Sequence, residues 1–251
     1  MLGPEGTYTH EAADNYFENL EPVFCSTITE CLKSDAETGI VPIENSLGGG
    51  VTETIDILRN KGSKVTGEKV LDIDHCLVSK EDDMKDVEKI VSHPQALSQC
   101  RDFIQSKGFE QVESSSTAKA ASELDEGEAA IASKTAAEVH ELNVLERSIQ
   151  NKQSMTRFLI VNGEKEAEQK TSLILEPGDD RAGLLHSMLG CLAGQQINLS
   201  QIESRPTKEQ LGEYFFYIEA EAGKSEERFQ KAVKCLETYA KVKILGSYRS
   251  E

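Results

Sequence analysis

Along the first 161 residues, short apolar runs alternate with stretches of helical period. Strands are predicted at Val23 to Thr27, Gly39 to Ile43, Leu71 to Val78, Lys89 to Ser92, Ala129 to Ala132 and Phe158 to Val161. Helices are predicted between them at Thr9 to Glu18, Thr52 to Asn60, Pro94 to Lys107, Thr117 to Glu126 and Lys134 to Leu142. Strands that alternate with helices imply an α/β domain with a mostly parallel sheet, since parallel neighbours need a crossover between them.

The pattern stops at 162–170, NGEKEAEQK, which is polar, has no apolar period and reads as a linker. Beyond it, Thr171 to Glu176 predicts a strand. Asp180 to Ala193 predicts a helix with Leu184, Leu185, Met188, Leu189 and Leu192 on one face. Ile197 to Glu203 and Glu213 to Ala222 predict two more strands. Ser225 to Tyr239 predicts a helix with Ser225 as its N-cap, and Val242 to Tyr248 a last strand. The resulting order, β-α-β-β-α-β, is ferredoxin-like. Two domains follow, 1–161 and 171–251.

Charge separates nearly the same segments. The chain carries 27 basic and 44 acidic side chains, a net charge of −17; its first 169 residues hold 16 and 32, the rest 11 and 12. That balance argues against non-specific nucleic-acid binding and is read as a solubility feature. No apolar run reaches the roughly 18 residues of a transmembrane helix. The start, MLGPEGTYTH, lacks the basic and apolar regions of a secretory signal, so a cytoplasmic location with no membrane partner is expected. The six cysteines, at 25, 31, 76, 100, 191 and 235, show no two-residue gap and are expected to be reduced, packed as small hydrophobes. Histidines 10, 75, 93, 140 and 186 are scattered singly, and no phosphate loop, nucleophile elbow or dinucleotide fingerprint occurs. No metal and no organic cofactor are therefore expected.

Four junctions of the first domain share small or hydroxyl-bearing residues: Gly3 to Thr7, Glu44 to Gly50, Ser92 to Gln95 and Ser114 to Thr117. Such residues are ordinary helix caps. They also suit a cleft that holds a small anion on backbone N–H groups and neutral donors, with glycines allowing close approach. Arg157, one of four arginines in the first 169 residues, reads as a carboxylate clamp, a structural anchor or a surface ion pair.

In chain order, Gly3-Pro4-Glu5-Gly6-Thr7-Tyr8-Thr9, Val41-Pro42-Ile43-Glu44-Asn45-Ser46, Ser92-His93-Pro94-Gln95, Ser116-Thr117-Ala118 and Thr156-Arg157-Phe158 together resemble the prephenate dehydratase family. Ile197-Asn198-Leu199-Ser200 and Glu203-Ser204-Arg205-Pro206 resemble the ACT domain attached to it. The resemblance implies a two-lobed catalytic region like a periplasmic binding protein, with its active site in the interlobe cleft. It implies an ACT module that binds phenylalanine at a subunit interface, in a homodimer or homotetramer. The reaction it implies is loss of carbon dioxide and hydroxide from prephenate to give phenylpyruvate, without a cofactor. Arogenate dehydratase and a non-catalytic small-acid sensor are the alternatives. Matched residue by residue, the catalytic set is Thr156, Glu44 and Arg157, with Thr156 orienting or stabilising the leaving oxygen and Glu44 as proton donor. Thr7, Asn45, Ser46, Ser92, Gln99, Thr117 and Phe158 are expected at the substrate. Gly183, Leu184, Leu185, Asn198, Leu199, Glu203, Ser204 and Arg205 are expected at the effector.

Overall fold

The computed structural model describes residues 1–60, 62–164, 167–179, 181–210 and 212–250. The chain opens with α1 (Tyr8–Tyr16) and α2 (Ile28–Lys33), then β1 (Gly39–Asn45), β2 (Gly49–Gly50), α3 (Thr52–Asn60), β3 (Val65–Ile73) and β4 (Cys76–Ser79). It continues through β5 (Lys89–Ser92), α4 (Pro94–Gln99), α5 (Arg101–Lys107), β6 (Glu110–Glu113), α6 (Thr117–Ser122), β7 (Glu128–Ala132), α7 (Lys134–Val139), β8 (Asn143–Glu146) and β9 (Ser154–Val161). Last come β10 (Lys170–Pro177), α8 (Leu184–Ala193), β11 (Leu199–Pro206), β12 (Tyr214–Ala220), α9 (Glu227–Leu236) and β13 (Ala240–Tyr248). The strands form three sheets, ordered β2-β1-β9-β3, β6-β5-β7-β4-β8 and β11-β12-β10-β13. Among the described residues no helix is long and apolar enough to cross a membrane.

The chain packs into two compact units. One comprises Met1–Ser34, Ile40–Gly49 and Val70–Phe158; the other comprises Asp35–Gly39, Gly50–Lys69 and Leu159–Glu251. In the first, the five-stranded sheet is buried on both faces. Leu77, Ala129 and Ile131 face one cluster with Leu97 and Ile104 of α4 and α5. Their chain neighbours Cys76, Val78, Ala130 and Ala132 face another with α6 and α7. This two-sided burial explains why the AAIA run is continuously apolar rather than alternating. The sheet is mixed, not mostly parallel: β5 pairs parallel with β6 and β7, while β4 pairs antiparallel with β7 and β8.

Several predicted elements change. The single strand expected over Leu71 to Val78 is two strands in different sheets, because β3 ends at Ile73 and β4 begins at Cys76. The helix expected over Pro94 to Lys107 breaks at Cys100 (ψ 18°) into α4 and α5. Val23 to Thr27 contributes only an isolated bridge, Leu2 to Cys25. Of the 162–170 linker, Lys170 belongs to β10, and Lys165 and Glu166 lie outside the described residues. So does Asp180, the expected start of the helix that begins at Leu184. Ser225 does not cap α9; its hydroxyl is bonded to Glu168, and Glu226 occupies the cap position.

In the second unit the order β10-α8-β11-β12-α9-β13 is the one expected from the sequence. Leu173 and Leu175 of β10 pack with Leu184, Met188 and Leu192 of α8 and with Phe229 and Leu236 of α9. Cys191 and Cys235 are joined in a disulfide, against the expectation of reduced thiols. They lie 44 residues apart, so no local spacing reveals them, yet α8 and α9 bring their Cα atoms to 5.6 Å. Lys170 Nζ lies 2.7 and 2.9 Å from the Glu68 carboxylate and 3.8 Å from Glu219, whose other oxygen accepts the Tyr217 hydroxyl at 2.6 Å. All four side chains are buried, where a charge is tolerated only when paired. Gly246 of β13 admits no side chain, since a Cβ there would lie 1.8 Å from the Val65 carbonyl oxygen.

Candidate active site

In the first unit β1 and β9 are neighbours, which sets Asn45 beside Thr156. The Asn45 Oδ1 accepts the backbone N–H groups of Leu47 (3.0 Å) and Gly48 (2.8 Å). This Asx turn fixes which end of the amide is which. The Nδ2 therefore donates to Thr156 Oγ1, at 2.9 Å. The threonine oxygen being the acceptor, its hydroxyl hydrogen is available to a ligand.

Both side chains line a cavity of about 370 Å³ together with Tyr8, His75, Gln99 and Thr117. His93, Gln95, Ser115 and Ser116 complete its polar wall, and Ile73 and Ala96 its apolar part. Among the described lining residues there is no aspartate, glutamate, lysine or arginine. The wall consists of hydroxyls, amides and imidazoles, a set that can hold an anion by hydrogen bonds without a countercharge.

His75 sits in the two-residue link between β3 and β4, with its backbone held by Gln150 Oε1 (2.9 Å) and the Ile149 N–H (3.0 Å). Its Nδ1 is 2.7 Å from Tyr8 Oη and its Nε2 is 2.7 Å from Gln99 Oε1. Burial pushes the imidazole pKa below its ordinary value, favouring the neutral ring. Burial likewise pushes the Tyr8 phenol well above its ordinary value, so it keeps its proton. The Cys100 thiol is pushed up to about 12 and the Cys76 thiol up to about 11, again by burial, so neither supplies a thiolate.

Of the residues expected at catalysis and substrate, the structure brings Asn45, Gln99, Thr117 and Thr156 to this cavity. The others serve elsewhere. Glu44 and Arg157 pair with each other at 3.1 Å and do not line it. Successive strand residues point to opposite faces, so Glu44 faces away from Asn45 and Arg157 away from Thr156. The Ser92 hydroxyl donates to the Ile131 carbonyl at 2.7 Å inside the sheet. Thr7 caps α1 and donates to the Leu2 carbonyl. Ser46 Oγ accepts the Met155 N–H at 3.0 Å, tying the turn after β1 to β9. Phe158 is buried in the core.

The helix starts also resolve. Thr7, His93 and Ser116 each accept a backbone N–H of their own helix, which is capping. Glu44 to Gly50 runs into a turn and β2 instead of opening a helix directly. Gly6 is required by packing rather than by a ligand: its φ is +79°, and a Cβ would stand 2.9 Å from Ala136 Cα. Tyr8 and His75 were not singled out by sequence. One signal pointed to His75: in Leu71, Ile73, His75 it is a polar side chain at an apolar beat of an alternating run.

The second unit holds a larger cavity, about 780 Å³, lined by Gly183, Leu184, Leu185 and Ser204 of the expected effector set. Tyr214 and Phe216 add aromatic wall, and Arg59, Arg181, Glu176 and Glu213 add charges of both signs. Arg59 is held by Glu176 (2.7 Å) and Glu209 (3.0 Å). Asn198, Leu199, Glu203 and Arg205 do not line this cavity. Leu199 packs on the helices, Asn198 donates to Glu221 at 2.9 Å, and Arg205 grips Asp56 through two bonds of 3.1 and 3.0 Å. Alternation along β11 explains the split, because Glu203 and Arg205 share the face opposite Ser204.

In an α/β protein, such a neutral, donor-rich cavity is suited to a small polar molecule. The family model described as prephenate dehydratase matches residues 1–166. The prephenate dehydratase of Methanocaldococcus jannaschii is 35% identical, over 98% of this chain and 95% of the relative. The crystal structure of prephenate dehydratase in complex with L-Phe from Arthrobacter aurescens aligns with a TM-score of 0.87 at 31% identity, covering 99% of this chain and 89% of that one. A structure described as a novel type of quorum quenching acylase aligns with a TM-score of 0.91 at 25% identity, covering 100% of this chain and 97% of that one. The chain belongs to the prephenate dehydratase family.

Proposed function

We propose that this chain converts prephenate to phenylpyruvate, carbon dioxide and water, and that phenylalanine controls it. In this reading residues 1–161 form a two-lobed catalytic domain, 162–170 a linker and 171–251 an ACT domain of ferredoxin-like form. The observation that carries the catalytic assignment is the Asn45–Thr156 pair on a cavity wall made of neutral donors.

The substrate is a dianion with a ring hydroxyl, and one proton is needed to balance its conversion. The bond from the ring to its carboxylate breaks, and its electron pair enters the ring as the C–O bond breaks on the far side. The oxygen leaves with developing negative charge, takes up one proton from solvent and departs as water. Thr156, polarised by the amide that donates to its oxygen, supplies a hydrogen bond to that leaving oxygen. Gln99, Thr117, Ser115 and Ser116 hold the carboxylates. Glu44 and Arg157 are assigned to holding β1 and β9 in register. This departs from the proton-donor role expected for Glu44, since its carboxylate is engaged by Arg157 away from the cavity.

The larger cavity supports the regulatory assignment. A guanidinium, carboxylates and an apolar wall suit the ammonium, carboxylate and ring of an aromatic amino acid, and the relative from Arthrobacter aurescens is described as a complex with L-Phe. A homodimer or homotetramer belongs to the same reading.

The test is phenylpyruvate formation from prephenate, with arogenate in a parallel assay and phenylalanine added to each. Wild type is expected to form phenylpyruvate and to be inhibited by phenylalanine. Thr156→Val is expected to lower kcat by about 10²–10³-fold, the usual effect of losing one charge-stabilising donor. Folded wild-type protein that leaves prephenate unchanged overturns the assignment. Turnover of arogenate alone moves it to that substrate.

A further inference from the structure

Gln99 reaches the cavity from the end of α4, and its usefulness to an anion depends on which end of its amide faces inward. An amide presents either two donors or a carbonyl oxygen, and only the first attracts a carboxylate. What decides between them lies behind it, in the chain Tyr8–His75–Gln99.

A neutral imidazole has one N–H and one bare nitrogen. Tyr8 keeps its phenolic proton, and its Oη is 2.7 Å from His75 Nδ1 against 3.2 Å from the Asp74 carbonyl. Gln99 Oε1 is an acceptor only, so the Nε2 that lies 2.7 Å from it carries the ring hydrogen and donates to it. Nδ1 is then bare, and its contact with Tyr8 Oη is the phenol donating to the ring. The Gln99 carbonyl is thereby turned inward to the protein and its NH₂ outward to the cavity. The opposite tautomer would reverse every step and offer the substrate a carbonyl oxygen. Asn45 is locked by the same kind of device, two backbone N–H groups taking its oxygen so that its NH₂ faces Thr156.

We propose that Tyr8 and His75 are positioning residues that lock the Gln99 amide with its NH₂ toward the substrate. The inference rests on reading this cavity as the prephenate site. Neither residue touches the reacting atoms in this role; they act through Gln99.

Two variants separate this role from simple packing. In His75→Gln the new amide nitrogen falls near the old Nε2 and can still donate to Gln99. In His75→Asn the shorter amide replaces only the Nδ1 side and cannot reach it. The expected result is a KM for prephenate about tenfold or more higher in His75→Asn than in His75→Gln, with kcat much less affected, as for a hydrogen bond to a charged group made in both ground and transition states. Tyr8→Phe is expected to raise KM as well. Loss of folded protein alone would lower apparent kcat and leave KM unmoved. Imidazole ¹⁵N shifts give an independent readout, with the His75 signal identified by its loss in His75→Gln. Wild type is expected to show the Nε2–H tautomer, and Tyr8→Phe a mixture. An Nδ1–H tautomer in wild type, or equal KM values in the two His75 variants, overturns the proposal. A wild type that is folded but inactive on prephenate fails the functional reading instead, and the tautomer measurement then decides whether the lock exists.

Discussion

Glu11 of α1 shows how one side chain can carry a pH dependence. It is pushed from its ordinary 4.5 up to about 7 by burial first, then by the carboxylates of Asp74 and Glu138. Its Oε2 has no hydrogen-bond partner among the described residues. The folded protein thus prefers the protonated acid, while the unfolded chain ionises near the ordinary value. The penalty is absent below the unfolded value, grows as pH rises through the interval and is complete above about 7. Glu11→Gln is expected to stabilise the protein at pH 8 by about 1–2 kcal/mol, discounting the shift for partial exposure, and to gain nothing at pH 4. Urea unfolding at the two pH values measures it; an equal effect at both sinks the idea. At this scale the sequence grouped Asn45, Gln99 and Thr156, and the structure sets all three on one cavity wall. The sequence failed for Tyr8 and His75, whose part depends on partners 67 and 24 residues away. It also placed adjacent residues such as Glu44 and Asn45 in one site, although a strand sends them to opposite faces.

Elements were legible where their apolar period was complete. Helix α3 and strand β5 have the predicted limits. Strand β6, EQVE, escaped because three of its four positions are exposed and no apolar beat marks it. The disulfide between α8 and α9 escaped because helix packing, not spacing, creates it. It closes a loop of 44 residues, and the chain-entropy relation puts the stabilisation at about 4 kcal/mol before losses to residual structure. Cys191→Ser, or wild type under reductant, is expected to lose about 2–4 kcal/mol in denaturant unfolding. Identical midpoints with and without reductant would show that the bond contributes nothing in solution.

For the whole molecule, the net charge of −17 and the uncharged cavity wall act together. A dianionic substrate approaches a repelling field, and the described cavity lining contains no basic side chain to reverse it. Salt screens that repulsion, so kcat/KM for prephenate is expected to rise about twofold or more from 10 to 150 mM ionic strength. A fall would reveal a basic approach path that this cavity lining does not contain. Composition made the charge legible at once. The grouping of Gly50–Lys69 with the C-terminal segment was not legible, because it depends on distant pairs such as Arg205 with Asp56 and Lys170 with Glu68. Those pairs impose an order in time. Lys243 Nζ donates to the Leu58 carbonyl from 185 residues further along the chain. At ribosomal rates that interval takes roughly 10–40 s. During synthesis residues 50–69 therefore wait for partners that do not yet exist, and the second unit closes only when its last strand has been made.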